Sequence, residues 1–244
     1  MRALILVDIQ NDFCTGGTLA VPQGEAIVPV ANRLMSLVDR VVATQDWHPA
    51  RHGSFAVNHA GRKPFEMGEL GGLPQVLWPA HCVEWTGGAQ FHPQLDTRRI
   101  ARVFPKGTDP MIDSYSGFFD NGFGPQERTE PAEQGDALRG IGEPVPPRSG
   151  AREGGAQRRK KATGLGDWLK AQRVEEVLVC GLATDYCVKA TAIDAAQLGF
   201  STVLVEDACR GVGLKPTDIS EAIVAMREAG IIITTAAALS AAGG

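Results

Sequence analysis

The chain lacks most of what would staple it outside a cell, anchor it in a membrane or hold it on nucleic acid. Its five cysteines, at 14, 82, 180, 187 and 209, are odd in number and never fall at CxxC spacing. That argues against a disulfide framework and against a structural zinc ribbon, and leaves reduced thiols as the simplest reading. No apolar stretch approaches the roughly 18 to 20 residues of a membrane helix. Met1 to Asp8 carries one positive charge and a short apolar run ending in an acid, without a small-residue cleavage site, so it reads as a strand and not as a signal peptide. Basic residues are not in excess: 24 Lys and Arg face 28 Asp and Glu, a formal net charge of −4. Nucleic-acid recognition usually needs a clustered basic face, so a small-molecule partner is expected, with no nucleic acid, no membrane and a cytoplasmic location.

What the chain does have is the make-up of a globular protein: 244 residues, 43% apolar and 21% charged. One catalytic domain over 1–244 is expected. Short apolar runs alternate with longer amphipathic segments, the pattern of an α/β fold with a mainly parallel sheet. The candidate strands are Ala3 to Val7, Val41 to Thr44, Ala101 to Phe104, Glu176 to Cys180, Thr202 to Val205 and Ile231 to Thr234. Helices are expected over Ala26 to Val38, Asp185 to Gln197 and Thr217 to Glu228, with Gly199 and Gly230 as C-terminal stops for the last two. From about Asn121 to Thr163 no period holds; Gly, Glu, Arg and Pro144, Pro146 and Pro147 predict an exposed, mostly disordered insertion at about 121–163. The run Arg158-Arg159-Lys160-Lys161 within it reads as solvated charge.

Ligands of open parallel sheets sit outside the carboxyl ends of the strands. Asp8, Asp46, Lys106 and the Ala183 to Cys187 segment all fall there. Cys187 is expected in the first turn of a helix, with Asp185 or Thr184 available as N-cap. Free amides and the helix dipole would lower its thiol pKa and could hold an oxyanion. The other four cysteines read as buried packing residues. Asp8 could cap the following loop or act in catalysis; Lys106 could be a solvated stem or, beside Asp8 and Cys187, could stabilise a thiolate while Asp8 accepts and returns the proton.

All five histidines, at 48, 52, 59, 81 and 92, crowd into one 45-residue stretch. Asp46-Trp47-His48 and Trp78-Pro79-Ala80-His81-Cys82 offer one carboxylate and two imidazoles, a set that suits zinc, manganese or iron. Loop capping by Asp46 and His48, with His81 on the surface, is the plainer alternative. His52 could be a fourth ligand or a hydrogen-bond partner behind the others. Phe13 and Trp78 could wall a slot for a flat ring.

Together, Asp8-Ile9-Gln10-Asn11-Asp12-Phe13, Asp46-Trp47-His48-Pro49, Trp78-Pro79-Ala80-His81-Cys82, Phe104-Pro105-Lys106-Gly107 and Gly181-Leu182-Ala183-Thr184-Asp185-Tyr186-Cys187-Val188 resemble the nicotinamidase/pyrazinamidase branch of the isochorismatase-like hydrolases. The resemblance implies a three-layer α/β/α fold and a catalytic triad of Asp8, Lys106 and Cys187. It implies an oxyanion hole at the amides of Ala183 and Cys187, with a cis peptide between Leu182 and Ala183. Asp46, His48 and His81 match the metal ligands, with His52 less secure; the cofactor is one divalent ion, zinc first, with iron or manganese as alternatives. Phe13, Trp78 and Tyr115 are the substrate-pocket candidates. The implied reaction converts nicotinamide to nicotinic acid and ammonia through a cysteine thioester, a step of NAD salvage, with pyrazinamide as a second substrate. A homo-oligomer is left open. The rivals are a metal-free carbamoyl amidase, a vinyl-ether hydrolase of the isochorismatase type, which the cysteine disfavours, and a non-catalytic flavodoxin-like scaffold.

Overall fold

The computed structural model describes residues 1–121 and 162–242. Almost all of the expected insertion, and the cationic run Arg158 to Lys161, lie outside the described residues. The six expected strands all form. They are β1 (Arg2–Val7), β2 (Arg40–Asp46), β5 (Arg102–Lys106), β6 (Glu176–Leu182), β7 (Ser201–Arg210) and β8 (Ile232–Thr234). They pair in parallel in the order β5-β2-β1-β6-β7-β8. β1 sits at the centre, and Ala3 to Val7 are fully buried. Its unbroken apolar run is what a strand covered on both faces requires.

The register pairs Leu6 with Ala43 of β2 on one side and with Cys180 of β6 on the other. Chain direction across the sheet reverses between β1 and β6, so the connections on either side run opposite ways. Right-handed crossovers then place α1 (Val28–Leu34) on one face, and α3 (Lys189–Gln197) and α4 (Asp218–Glu228) on the other. This is the expected three-layer α/β/α architecture, and the reversal opens a crevice at the carboxyl ends of β1 and β6.

Local structure corrects several expectations. The helix expected over Ala26 to Val38 is broken into a 3-10 turn Gly24–Ile27, α1 and a second 3-10 turn Met35–Leu37. Pro29 has no N–H and fits only the first turn of an α-helix, which sets the start of α1. The helix expected from Asp185 begins instead as a single π-helical turn, Thr184–Val188, in which Val188 N–H donates to Ala183 O at 3.1 Å. Neither Thr184 nor Asp185 caps it. Asp185 is buried and accepts the amides of Val212 (2.9 Å) and Gly213 (2.8 Å), tying this turn to the loop after β7.

Among the described residues, two α-helices and a hairpin depart from expectation. α2 (Leu165–Ala171) and α5 (Ala236–Ala242) are short. A hairpin, β3 (Met67–Leu70) with β4 (Leu73–Val76), turns on Gly71 and Gly72, both at positive φ (62° and 86°). A two-residue loop with two left-handed positions favours glycine, so the Gly-Gly pair was a readable signal. β4 leads directly into Leu77 and Trp78, and so delivers the His81 loop to the crevice.

Candidate active site

Asp8 leaves the end of β1 with a left-handed backbone, φ 49°. Lys106 ends β5 and is buried, 2% exposed, so it is no solvated stem. Its ammonium donates to Asp46 Oδ1 at 2.5 Å and to the carbonyl of Ser114 at 2.9 Å, and it lies 3.0 Å from Asp8 Oδ2. Cys187 Sγ is its fourth neighbour, at 3.4 Å. Three N–H bonds serve four neighbours, so the sulfur takes the longest contact. The side-chain atoms of Asp8, Asp46 and Cys187 lie within 4.8 Å of one another. The three residues expected to act together therefore converge, and the Asp8 side chain points into this cluster, with a hydrogen bond from Thr44.

Burial governs the charges. Desolvation, with help from Asp46, raises Asp8 to about 6 against the pull of Lys106 and Thr44. Burial also opposes charge on Lys106, but Asp46 and Asp8 outweigh it and hold the ammonium well above its usual range. For Cys187 the expectation is overturned. Burial pushes the thiol well above 9, with Asp8 and Asp46 adding to the rise and only Lys106 opposing it. Burial and the two carboxylates outweigh the local turn and favour the thiol form of Cys187.

Asp46, His48 and His81 are buried together, with candidate ligand atoms within 4.8 Å of one another. His48 Nδ1 faces Gly107 O at 2.8 Å and His81 Nδ1 faces Pro79 O at 2.8 Å, so each ring donates backward and turns Nε2 toward Asp46 Oδ2, at 3.6 and 3.9 Å. Gly107 has φ 62°, and a Cβ there would collide with the His48 ring, which explains glycine after Lys106. Gln10 brackets the Asp46 backbone, donating to its carbonyl and accepting from its amide, each at 2.8 Å.

Burial favours neutral His48, but Asp46 outweighs it and raises the ring above its usual value; burial and then His48 lower His81 to about 4. Lys106 and His48 hold Asp46 far below the carboxylate range in spite of burial. One fixed anion with two aimed imidazoles is a donor set that fits a divalent cation. His52 is not in this triangle. It groups with His48 and Asp113, its Nδ1 lies 2.7 Å from Ser54 Oγ, and its Nε2 is buried with no hydrogen-bond partner among the described residues.

Asp46, His48, His81 and Cys187 line a cavity with about 360 Å³ of empty space, its open mouth included. Phe13, Trp78 and Tyr115 line it as expected, and Ala183 and Cys187 share its wall. The peptide between Leu182 and Ala183 is cis, as expected. Sequence reading missed Leu19, Asp113, Ser114, Tyr186 and Val212, which also line the cavity. Tyr186 packs edge-on against Trp78 at 4.9 Å between ring centroids, and its place beside Cys187 was a usable signal. Trp78 Nε1 donates to Tyr115 Oη at 3.3 Å, joining two of the aromatic walls.

A family model described as the isochorismatase domain matches residues 2–123 and 159–238. A nicotinamidase of Escherichia coli is 46% identical over 240 residues, 97% of this chain and 95% of the relative. The solved structure of a nicotinamidase/pyrazinamidase from Acinetobacter baumanii superposes with a TM-score of 0.79 at 37% identity, over 98% of this chain and 97% of that one. A pyrazinamidase of Pyrococcus horikoshii, solved in complex with zinc, superposes with a TM-score of 0.66 at 32% identity, over 96% and 98% of the two chains. With its parallel sheet, its cysteine at the crevice and this extent of matched chain, the protein belongs to the isochorismatase family of hydrolases.

Proposed function

We propose that this protein hydrolyses nicotinamide to nicotinic acid and ammonia, and accepts pyrazinamide as well. The observation that carries the reading is the meeting of Asp8 and Lys106 with Cys187 behind the wall of an aromatic cavity that Cys187 lines together with Asp46, His48 and His81. The relatives named above are described as nicotinamidases and pyrazinamidases, which supports the substrate class. The carbamoyl amidase without metal leaves the Asp46, His48 and His81 triangle without a purpose.

On this reading, Asp8 takes the Cys187 proton as sulfur attacks the carboxamide carbon. The carbonyl electrons move to oxygen, where the amides of Ala183 and Cys187 would hold them. Collapse expels ammonia, with the proton returned from Asp8 to nitrogen, and leaves a thioester. Asp8 then takes a proton from water as its oxygen attacks the thioester; nicotinic acid leaves, and the proton returns to Cys187 sulfur. Lys106 keeps Asp8 and Asp46 compensated throughout. Phe13, Trp78 and Tyr115 orient the ring. Asp46, His48 and His81 would hold a divalent ion, zinc first and iron or manganese as alternatives, which supplies a Lewis-acid anchor for the ring nitrogen.

The test is ammonia release from nicotinamide with and without added divalent metals; no release with any of them would end the proposal. Metal depletion is expected to weaken nicotinamide binding by about tenfold or more while the fold persists, reversed by zinc. Calorimetric titration of stripped and reloaded protein checks this, and unchanged affinity in the stripped protein would refute the anchoring role. A pH dependence also follows. Below about 6, Asp8 holds a proton and cannot accept that of Cys187. The value of kcat/KM is therefore expected to fall about tenfold per pH unit on the acid side of that point. An acid limb centred near 4, the ordinary carboxylate value, would contradict it.

A further inference from the structure

Thr44 is fully buried on β2, two residues before Asp46, and the two-residue strand period turns both side chains toward the same face. Its hydroxyl donates to Asp8 Oδ1 at 2.7 Å, while Lys106 meets Oδ2 at 3.0 Å. A hydroxyl carries one proton, so this one is committed to Asp8. With a hydroxyl bonded to one oxygen and the Lys106 ammonium ion-paired with the other, the carboxylate is held in a single orientation beside Cys187.

The Thr44 rotamer is itself set from behind. Gly117 passes so close that a Cβ added there would stand 2.5 Å from Thr44 Cγ2, and 3.4 Å from both Thr191 Cγ2 and Leu165 Cδ2. Gly117 is held in turn: its N–H donates to Thr191 Oγ1 at 2.9 Å, and its carbonyl accepts from Thr163 Oγ1 at 2.6 Å. A contact path therefore runs from α3 through the Gly117 loop to Thr44 and on to Asp8. Neither Thr44 nor Gly117 lines the cavity.

We infer that Thr44 is a positioning residue for proton transfer by Asp8, and that Gly117 sets Thr44 in place. The inference rests on the amidase reading above. Because the path bypasses the cavity, it predicts an effect on kcat and not on KM.

The experiment is steady-state nicotinamide hydrolysis by the metal-loaded protein and by Thr44→Val, Thr44→Ala, Thr44→Ser and Gly117→Ala. Thr44→Val and Thr44→Ala are expected to lose about 10- to 100-fold in kcat with KM within about twofold. Thr44→Ser, which restores the hydroxyl but not the methyl, is expected to stay within about threefold of wild type. Gly117→Ala should lower kcat with the same signature, and the Thr44→Val, Gly117→Ala double variant should be no worse than Thr44→Val alone. Serine and alanine both lack the methyl and differ only in the hydroxyl, so their comparison holds even where valine fails to fold. Equal losses in the two would overturn the inference, since packing and not the hydroxyl would then matter. So would a Thr44→Ala kcat within about twofold of wild type. Wild-type protein that releases no ammonia would remove the amidase reading itself, and this inference with it.

Discussion

Cys187→Ala is expected to abolish turnover, by about 10⁴-fold or more, while nicotinic acid still binds. Among the described residues that line the cavity, Cys187 carries the one thiol, the group a thioester requires. Asp8 and Lys106 remain paired at 3.0 Å without it, so no buried charge loses its partner. Trimming one buried atom leaves a small void and costs about 1 to 2 kcal/mol of stability. The groups proposed to hold the ring, Phe13, Trp78, Tyr115 and the Asp46, His48 and His81 set, are untouched. Ammonia release and calorimetric titration with nicotinic acid, run on one preparation, separate the two properties. Turnover within tenfold of wild type would remove cysteine as nucleophile.

Lys106→Met is expected to lower stability by about 3 to 5 kcal/mol near neutral pH, because it strands two buried carboxylates without their cation. Methionine matches the lysine stem, so packing is roughly kept and the charge is what is tested. Asp8 and Asp46 are both nearly inaccessible to solvent, so water cannot replace the ammonium. The pH dependence has a definite sign. Asp8 already has a raised pKa, about 6 with Lys106 present, and loss of the cation raises it further. The cost of its charge is therefore present at higher pH and fades as pH falls and Asp8 gains a proton. Urea unfolding at pH about 7.5 and about 5.5 should show a deficit that shrinks in acid. A variant as stable as wild type at the higher pH would show that Lys106 does not compensate the pair.

The site was legible to the extent that it follows from topology. Parallel strands buried on both faces are read as apolar runs, and their carboxyl ends are where such a sheet leaves room for ligands. Asp8, Asp46, Lys106 and Cys187 were found on that ground, and His48 and His81 by their company. Tyr186 and the Gly71-Gly72 hairpin carried signals that went unused. Thr44 and Gly117 carried almost none, since a threonine inside a strand and a glycine in a loop are ordinary until Asp8 is placed beside them.

The sequence alone determined the strand order's raw material, the chemistry-bearing residues at the strand ends and the family motifs that group them, because these depend on local periodicity and residue type. Tertiary structure alone decided the charge states and the partners. Cys187 sits in a turn that by itself favours a thiolate, yet it rests as a thiol, because desolvation and the carboxylates of Asp8 and Asp46 outweigh Lys106. Asp185, suited by position to cap that turn, is taken by the amides of Val212 and Gly213. His52 groups with His48 and Asp113, outside the Asp46, His48 and His81 set. Burial and Coulomb interaction depend on distance through space, and the residues that settle each of these points come from strands and loops far apart along the chain.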